Sequence, residues 1–419
     1  MISDCRYVRP LRVLSISSLY PTKSQPYDGI FIHRLHKEFH HFGAEVIVAQ
    51  TSDWHPGKLT NFLPDPVWRS ARERRLNMLE ILDDVRIAHP IVFSPRPSRF
   101  FLKRTALDRI ADAFERWVRS TTWRPDILLA HFALMDGVHA VEVGKRLGLP
   151  VAIMTWGDDI HAWPEQKPDW ANLLQNALSR AQVLVSCSRQ MACDAVKWGM
   201  RQDDWFVVYG GVDTDLFIPS NAAEASSFRI PAGLGQHAGR RLLLCVARIE
   251  RAKGHEELLD AFARCAEDHP DWDLLLVGAL GDGTIQPESL IKRHKMENRV
   301  HWIGSVHPDD LPAVYRSCNG FVLPSHREGL SLSLLEALAS GLRVVVTDVG
   351  GHSEVVDKEA GWLIPAGNTE RLELGLRQLF SGQGSATPKG ARKAAERVGT
   401  PRQNAGRLVQ HLRGTVSLH

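Results

Sequence analysis

Two carboxylates, Glu328 and Glu336, stand with seven residues between them in REGLSLSLLEALASGLRVVVTD. The rest of that stretch reads as an apolar helix followed by a buried strand, and ionised groups in such surroundings need partners. Glu328 comes directly after the strand-like run GFVLPS. Ser331 is placed to cap a helix with the body LSLLEALAS, and Gly341 to end it. The N–H groups at the start of such a helix favour an anion. Glu328 would repel a phosphate set directly on it, so it suits hydroxyls a few ångströms away. Glu336 falls about 7.5 Å further along the helix axis. That separation matches a ligand with hydroxyls at both ends and phosphate between them, which is the layout of a nucleotide sugar. The plainer reading makes Glu328 a loop cap and Glu336 a solvated helix residue.

A second loop bears on the choice. The run RLLLCVA leads into RIERAKGHEELLDAF, where Arg248, Arg251 and Lys253 crowd a turn and Gly254 opens a helix. Cations at a strand's carboxyl end beside a helix N-terminus suit a diphosphate. Packed together without one, they repel. No GxxxxGK occurs, so an ATP-hydrolysing loop is not supported. The alternative is a solvated basic turn. The chain holds two Asp-x-Asp pairs, Asp271/Asp273 and Asp213/Asp215. The first precedes its strand and the second lies in a turn-rich stretch, so neither reads as a metal site. No metal and no other cofactor is expected.

These loops need strands and helices to hold them. Short apolar runs alternate with amphipathic stretches along all 419 residues, as in RVLSIS, GIFIHRLHKEFHHFG, EVIVAQ and again in DILLAHF, DGVHAVEVGKRLG, PVAIMTW. Such units imply parallel strands with right-handed crossovers, and strands apolar on both faces imply helices on both sides of the sheet. A Gly-, Pro- and Ser-rich stretch around DDWFVVYGGVDTDLFIPSNAAEASSFRIPAGLG marks a hinge. The expected class is α/β: one doubly wound, Rossmann-like domain over 1–205, a second over 206–395, and a C-terminal helix over 396–419 that returns to the first. The tail SGQGSATPKGARKAAERVG reads as a small, polar, basic crossing segment. In open sheets of this kind ligands bind outside the carboxyl ends of the strands.

Composition narrows the classes further. A formal net charge of +3 argues against nucleic acid as a partner. Six cysteines without paired spacing, several of them in apolar runs, suit reduced buried thiols. The N-terminal stretch lacks a signal-peptide core, and no run is apolar enough to cross a bilayer. A cytoplasmic protein is expected, with peripheral contact to the inner membrane face as an extension.

At the two loops the chain resembles a known family. VARIERAKGHEELLDAF, FVLPSHREGLSLSLLEALASGLRVVVTDVGGHSEVV and GWLIPAGNTERL, in this order, are similar to the second domain of GT-B-fold retaining glycosyltransferases of family 4 (group 1). VVYGGVDTDLF resembles that family's linker motif. YPTKSQPYDGIFIHRLHKEF and PDILLAHFALMDGVHA resemble its first domain. The resemblance implies two domains facing a central cleft and transfer of a hexosyl unit from a UDP- or GDP-sugar, UDP being the commoner choice. The acceptor would be a glycan or polyprenyl-linked glycan of a bacterial surface polysaccharide. It implies that Arg248 and Lys253 bind the diphosphate and stabilise the leaving group. Glu328 would contact sugar hydroxyls and Glu336 the ribose, with the backbone of Gly329, Leu330 and Ser331 against phosphate or sugar.

In the first domain, Gly29 resembles a glycine loop that faces the donor, and His131, ending a strand, matches a histidine near the reacting sugar. TWGDDIH stands where the family often has His-Gly-x-Asp. Trp156 replaces the histidine, either stacking on a sugar or packing in the core, and Asp159 matches the aspartate on the acceptor side. Residues 54–105 are basic and partly amphipathic. Phe100, Leu107, Ile110, Phe114 and Trp117 share a helical face that either packs on the sheet or meets a membrane surface. Two other functions compete with transfer: that of a sugar-nucleotide epimerase of the same fold, and that of a non-catalytic nucleotide-sugar-binding protein. The two-glutamate helix motif counts against the epimerase.

Overall fold

The computed structural model describes residues 9–21, 26–50, 52–53, 79–89, 91–92, 104–220, 240–281 and 283–417. Its contacts divide the chain into two units. Unit 1 comprises Met1–Cys187, Met191–Val208 and Pro401–His419; unit 2 comprises Ser188–Gln190 and Tyr209–Thr400.

Unit 1 is built on strands β1 (Leu11–Ile16), β2 (Ala44–Ala49), β3 (Ser52–Asp53), β4 (Leu79–Leu82), β5 (Val85–Ala88), β6 (Ile91–Val92), β7 (Ile127–His131), β8 (Val151–Thr155), β9 (Val183–Ser186) and β10 (Trp205–Val207). Among the described residues, eight of them form one sheet in the order β10-β9-β8-β7-β1-β2-β5-β4, while β3 and β6 pair separately. Every neighbour in the large sheet is parallel except the β4–β5 hairpin. ILLAH in β7 and VAIMT in β8 are buried along their whole length, as strands covered on both faces must be. Leu35, Phe39, Leu408, Val409 and Leu412 pack with Val13, Ile127, Leu129 and Met154 on one face. The last three of the five covering side chains come from the helix Pro401–Val416, which Arg413 also ties to the carbonyls of Phe42 and Gly43.

Unit 2 contains β11 (Arg241–Val246), β12 (Trp272–Val277), β13 (Val300–Trp302), β14 (Gly320–Leu323), β15 (Val344–Thr347) and β16 (Gly361–Ile364), in the order β13-β12-β11-β14-β15-β16. All pairings are parallel. Leu244, Leu276, Phe321 and Val346 meet Phe262, Leu335 and Phe380 from the helices in one continuous core. The chain winds outward in both directions from the β11–β14 pair, so the switch point of this sheet lies between those two strands. In unit 1 it lies between β1 and β7.

The tail departs from the sequence reading. Where a polar crossing is expected, Pro388–Val398 forms a regular helix whose N-cap Thr387 accepts from Gly390 N–H. Ala391, Ala394, Ala395 and Val398 are buried at helical spacing. Alanines make a low-hydrophobicity stripe that composition hides and periodicity reveals. From this helix Arg392 donates to the carbonyls of Thr214, Phe217 and Ala339, closing the end of the Leu332–Ala339 helix. Phe100 and most of 54–105 lie outside the described residues. Ile110, Phe114 and Val118 of the helix Arg104–Ser120 are buried. Among the described residues, no helix is long and apolar enough to cross a membrane.

Candidate active site

The loops after β11 and β14 lie at the switch point of unit 2, where open parallel sheets bind ligands. Past β11 the chain stays paired to its neighbour through Ala247 N–H to Val277 O and Ile249 N–H to Ala279 O, then makes the tight turn Arg251–Lys253. Gly254 follows with φ +70°, and a Cβ there would lie 2.1 Å from the Pro324 carbonyl oxygen. Only glycine allows that turn to press on the end of β14. His326 N–H donates to Ala252 O at 2.8 Å, a second link between the loops.

This join brings Lys253 Nζ to 2.8 Å from Glu328 Oε1, and Ser325 Oγ donates to the same oxygen at 2.7 Å. Burial alone would raise the Glu328 carboxyl. The Lys253 ammonium, the His352 ring and the hydrogen bonds from Lys253 and Ser325 outweigh it and hold the group below its ordinary value. Arg248 stays exposed and pairs with Glu250 Oε1 at 3.2 Å. The sequence reading left these cations repelling one another until an anion arrived. The structure corrects it: the two assigned to a diphosphate, Arg248 and Lys253, are each answered by a carboxylate of the chain itself.

Ser331 occupies the N-cap position of the helix Leu332–Ala339, with extended backbone. Its side chain caps nothing, however, and its Oγ lies 3.0 Å from Ser333 Oγ. The expected serine cap is therefore absent. Gly329 is packed from behind by Gly351, whose N–H donates to its carbonyl at 2.7 Å, and Leu330 is partly buried against the core. Glu336 is 4% exposed, and its Oε2 accepts from the Tyr315 hydroxyl at 3.0 Å. It is not a solvated helix residue. His352 is fully buried and donates Nδ1–H to Thr347 O at 2.8 Å, and its Nε2 has no partner among the described residues. Burial lowers its pKa against the opposing pull of Glu328.

Ser325, Tyr315 and His352 escaped the sequence reading. Ser325, three residues before Glu328 in PSHREG, was the one with a local signal. Three of the four Asp-x-Asp carboxylates are engaged by the chain. Asp273 pairs with Arg240 and Arg299, Asp271 with Arg241, and Asp213 accepts the N–H groups of Asp215 and Leu216.

In unit 1 the predicted residues also gather at the switch point, but their contacts are internal. Gly29 has φ +63°, and the group its missing Cβ admits is the Leu19 carbonyl, 2.3 Å away, rather than a ligand. His131 is fully buried. Its Nδ1 accepts from the Trp156 indole N–H at 3.1 Å, and its Nε2 lies 3.0 Å from His36 Nε2. Since an indole only donates, His131 carries its proton on Nε2 and gives it to His36. Burial takes its pKa down to about 3. So held, it has no ring nitrogen left for a sugar. Trp156 packs on Phe31 at 4.5 Å and on His131 at 6.0 Å, which is the core reading of that residue. Asp159 Oδ1 accepts from the N–H groups of Trp156 and Gly157, and Oδ2 from that of Ala133. Burial raises its pKa against those three bonds. It fastens the end of β8 to the end of β7.

Comparison with known proteins adds a separate line. Residues 29–216 match the family described as Glycosyltransferase Family 4, and residues 227–398 match Glycosyl transferases group 1. TuaC of Bacillus subtilis (strain 168), whose name provisionally makes it a glycosyltransferase of teichuronic acid biosynthesis, is 26% identical over 371 residues, covering 86% of this chain and 87% of that one. Two solved structures share the fold. A sucrose-phosphate synthase from Thermosynechococcus elongatus matches with a TM-score of 0.77 at 18% identity, covering 98% of this chain and all of that one. HepE of Anabaena in complex with UDP-glucose matches with a TM-score of 0.72 at 17% identity, covering 96% and 100%.

Proposed function

The chain belongs to the group 1, family 4 glycosyltransferases of GT-B fold, and from that premise we infer that it moves a hexosyl unit from a UDP-sugar to a glycan or lipid-linked glycan of a bacterial surface polysaccharide. The observation that carries the reading is the joining of Lys253 and Glu328 at the switch point of unit 2, beside a helix start that Ser331 leaves uncapped. Bacterial relatives such as TuaC support the setting, and the HepE complex supports UDP over GDP.

Transfer breaks the bond between the sugar's anomeric carbon and the diphosphate oxygen. Negative charge grows on the departing diphosphate, and fixed positive groups stabilise it. Lys253, Arg248 and the N–H groups at the start of Leu332–Ala339 supply that charge in this reading. Asp271 and Asp273 hold arginines, and Asp213 holds backbone N–H groups. Glu328 receives hydroxyls of the sugar and Glu336 those of the ribose. The acceptor hydroxyl attacks the face the diphosphate leaves, and its proton passes to the leaving phosphate oxygen, so the anomeric configuration is retained.

Thermal denaturation with UDP, GDP, UDP-glucose and GDP-mannose tests the donor assignment. A nucleotide at 100 times its dissociation constant adds about 2.7 kcal/mol. Stabilisation by the uridine compounds, lost in Lys253→Met, is expected. No shift with any of the four, or an unchanged shift in the variant, defeats the site. An inverted linkage in the product, read by NMR, defeats retention, and turnover of donor alone to its epimer favours the epimerase.

A further inference from the structure

Both cations offered to the diphosphate already hold carboxylates, but the two pairs differ. The Arg248 side chain is 63% exposed, and a pair so wetted is weak. The side chains of Lys253 and Glu328 are 18% and 13% exposed, and their pair is shielded. Within it the carboxylate is the fixed member. Ser325 donates to Oε1, and Ser325 is itself fully buried, its carbonyl accepting from Thr347 Oγ1 at 2.6 Å. Gly351 N–H secures the next carbonyl, that of Gly329. The ammonium, on a flexible four-carbon stem, is the mobile member.

We propose that Glu328 is an intramolecular competitor for Lys253. It holds the ammonium while the site is empty, yields it to the donor's diphosphate, and reclaims it as the nucleoside diphosphate departs, hastening product release. The inference rests on the donor reading above. If the diphosphate takes Lys253 outright, the ion pair must open. If the ammonium bridges both with its three N–H donors, the carboxylate remains beside the phosphate and repels it. Either route weakens binding of the free nucleoside diphosphate. An intact donor is treated differently, because its sugar hydroxyls can hydrogen-bond to Glu328 and offset the penalty. One carboxylate thus separates substrate from product by sign: attractive to hydroxyls, repulsive to the bare diphosphate.

Isothermal titration of wild type, Glu328→Gln and Glu328→Asp with UDP and with GDP provides the test. For whichever nucleotide wild type binds, Glu328→Gln should bind about tenfold tighter, a change of about 1.4 kcal/mol, and release it more slowly. Glu328→Asp, which keeps the charge but draws it back from Lys253, should tighten binding about threefold. It also stands in if the glutamine variant does not fold. Equal or weaker binding in the folded variants overturns the proposal and makes Glu328 a guide for Lys253 instead. Failure of wild type to bind either nucleotide is a different result: it removes the donor reading itself.

Discussion

Tyr315→Phe removes one hydroxyl from the candidate site. The ring is fully buried, 5.6 Å from Phe217 and 6.2 Å from Phe321 by centroids, and phenylalanine preserves that packing. The change deletes the hydroxyl that donates to Glu336 Oε2 at 3.0 Å and lies 3.2 Å from Ser333 O. A hydrogen bond to a charged group contributes about 1.5–3 kcal/mol. We expect a loss of about 2 kcal/mol. For a unit of this size that lowers the midpoint by about 4–8 °C. If Glu336 meets the ribose, releasing it from Tyr315 also weakens UDP binding, by a few-fold. Calorimetric melting without ligand measures the first effect and titration with UDP the second. A midpoint within 1 °C of wild type would refute the tyrosine hydroxyl as a stabilising contact. A lowered midpoint with unchanged UDP affinity would make Tyr315 a core residue with no part in the site.

Two further expectations concern the loop after β11. His255 is buried, donates Nδ1–H to Glu250 O at 3.4 Å, and is pushed by burial down to a pKa of about 4. A depressed folded value means that its stability contribution is whole above pH 6.5 and falls as pH drops towards 4, by about 1.4 kcal/mol per pH unit. Wild type should therefore lose about 3 kcal/mol more than His255→Gln between pH 6.5 and 4, and parallel melting curves would contradict this. In Gly254→Ala the new Cβ meets the Pro324 carbonyl 2.1 Å away at φ +70°. A loss of at least about 2 kcal/mol and of the nucleotide-induced thermal shift is expected, and a variant that melts and responds like wild type would show that the turn is not pinned.

Much of the architecture was legible because a doubly wound sheet writes itself locally. Fully apolar strands such as ILLAH and helical runs such as HEELLDAFARCA announce themselves within a dozen residues. The candidate residues were legible for a related reason, since they follow strands and strand ends are visible. Their partners were not. Lys253 meets Glu328 across 75 positions and His131 meets His36 across 95, and no local pattern encodes either pairing. Gly29 and Ser331 show the converse difficulty. Each sits where its residue type suggests a role, a ligand approach or a helix cap. The actual neighbour, Leu19 O in one case and Ser333 Oγ in the other, is supplied by the fold.

The helix Pro401–Val416 sets an order of assembly. Unit 2 draws nearly all its residues from the continuous span Tyr209–Thr400, whereas unit 1 needs Ala405, Leu408, Val409 and Leu412 to cover a face made of strands from the first half of the chain. On the ribosome the earlier unit therefore waits, with apolar surface uncovered, while the later one is translated and can close first. Nascent chains halted before Pro401 should carry that bare face, and they are the species a chaperone would hold.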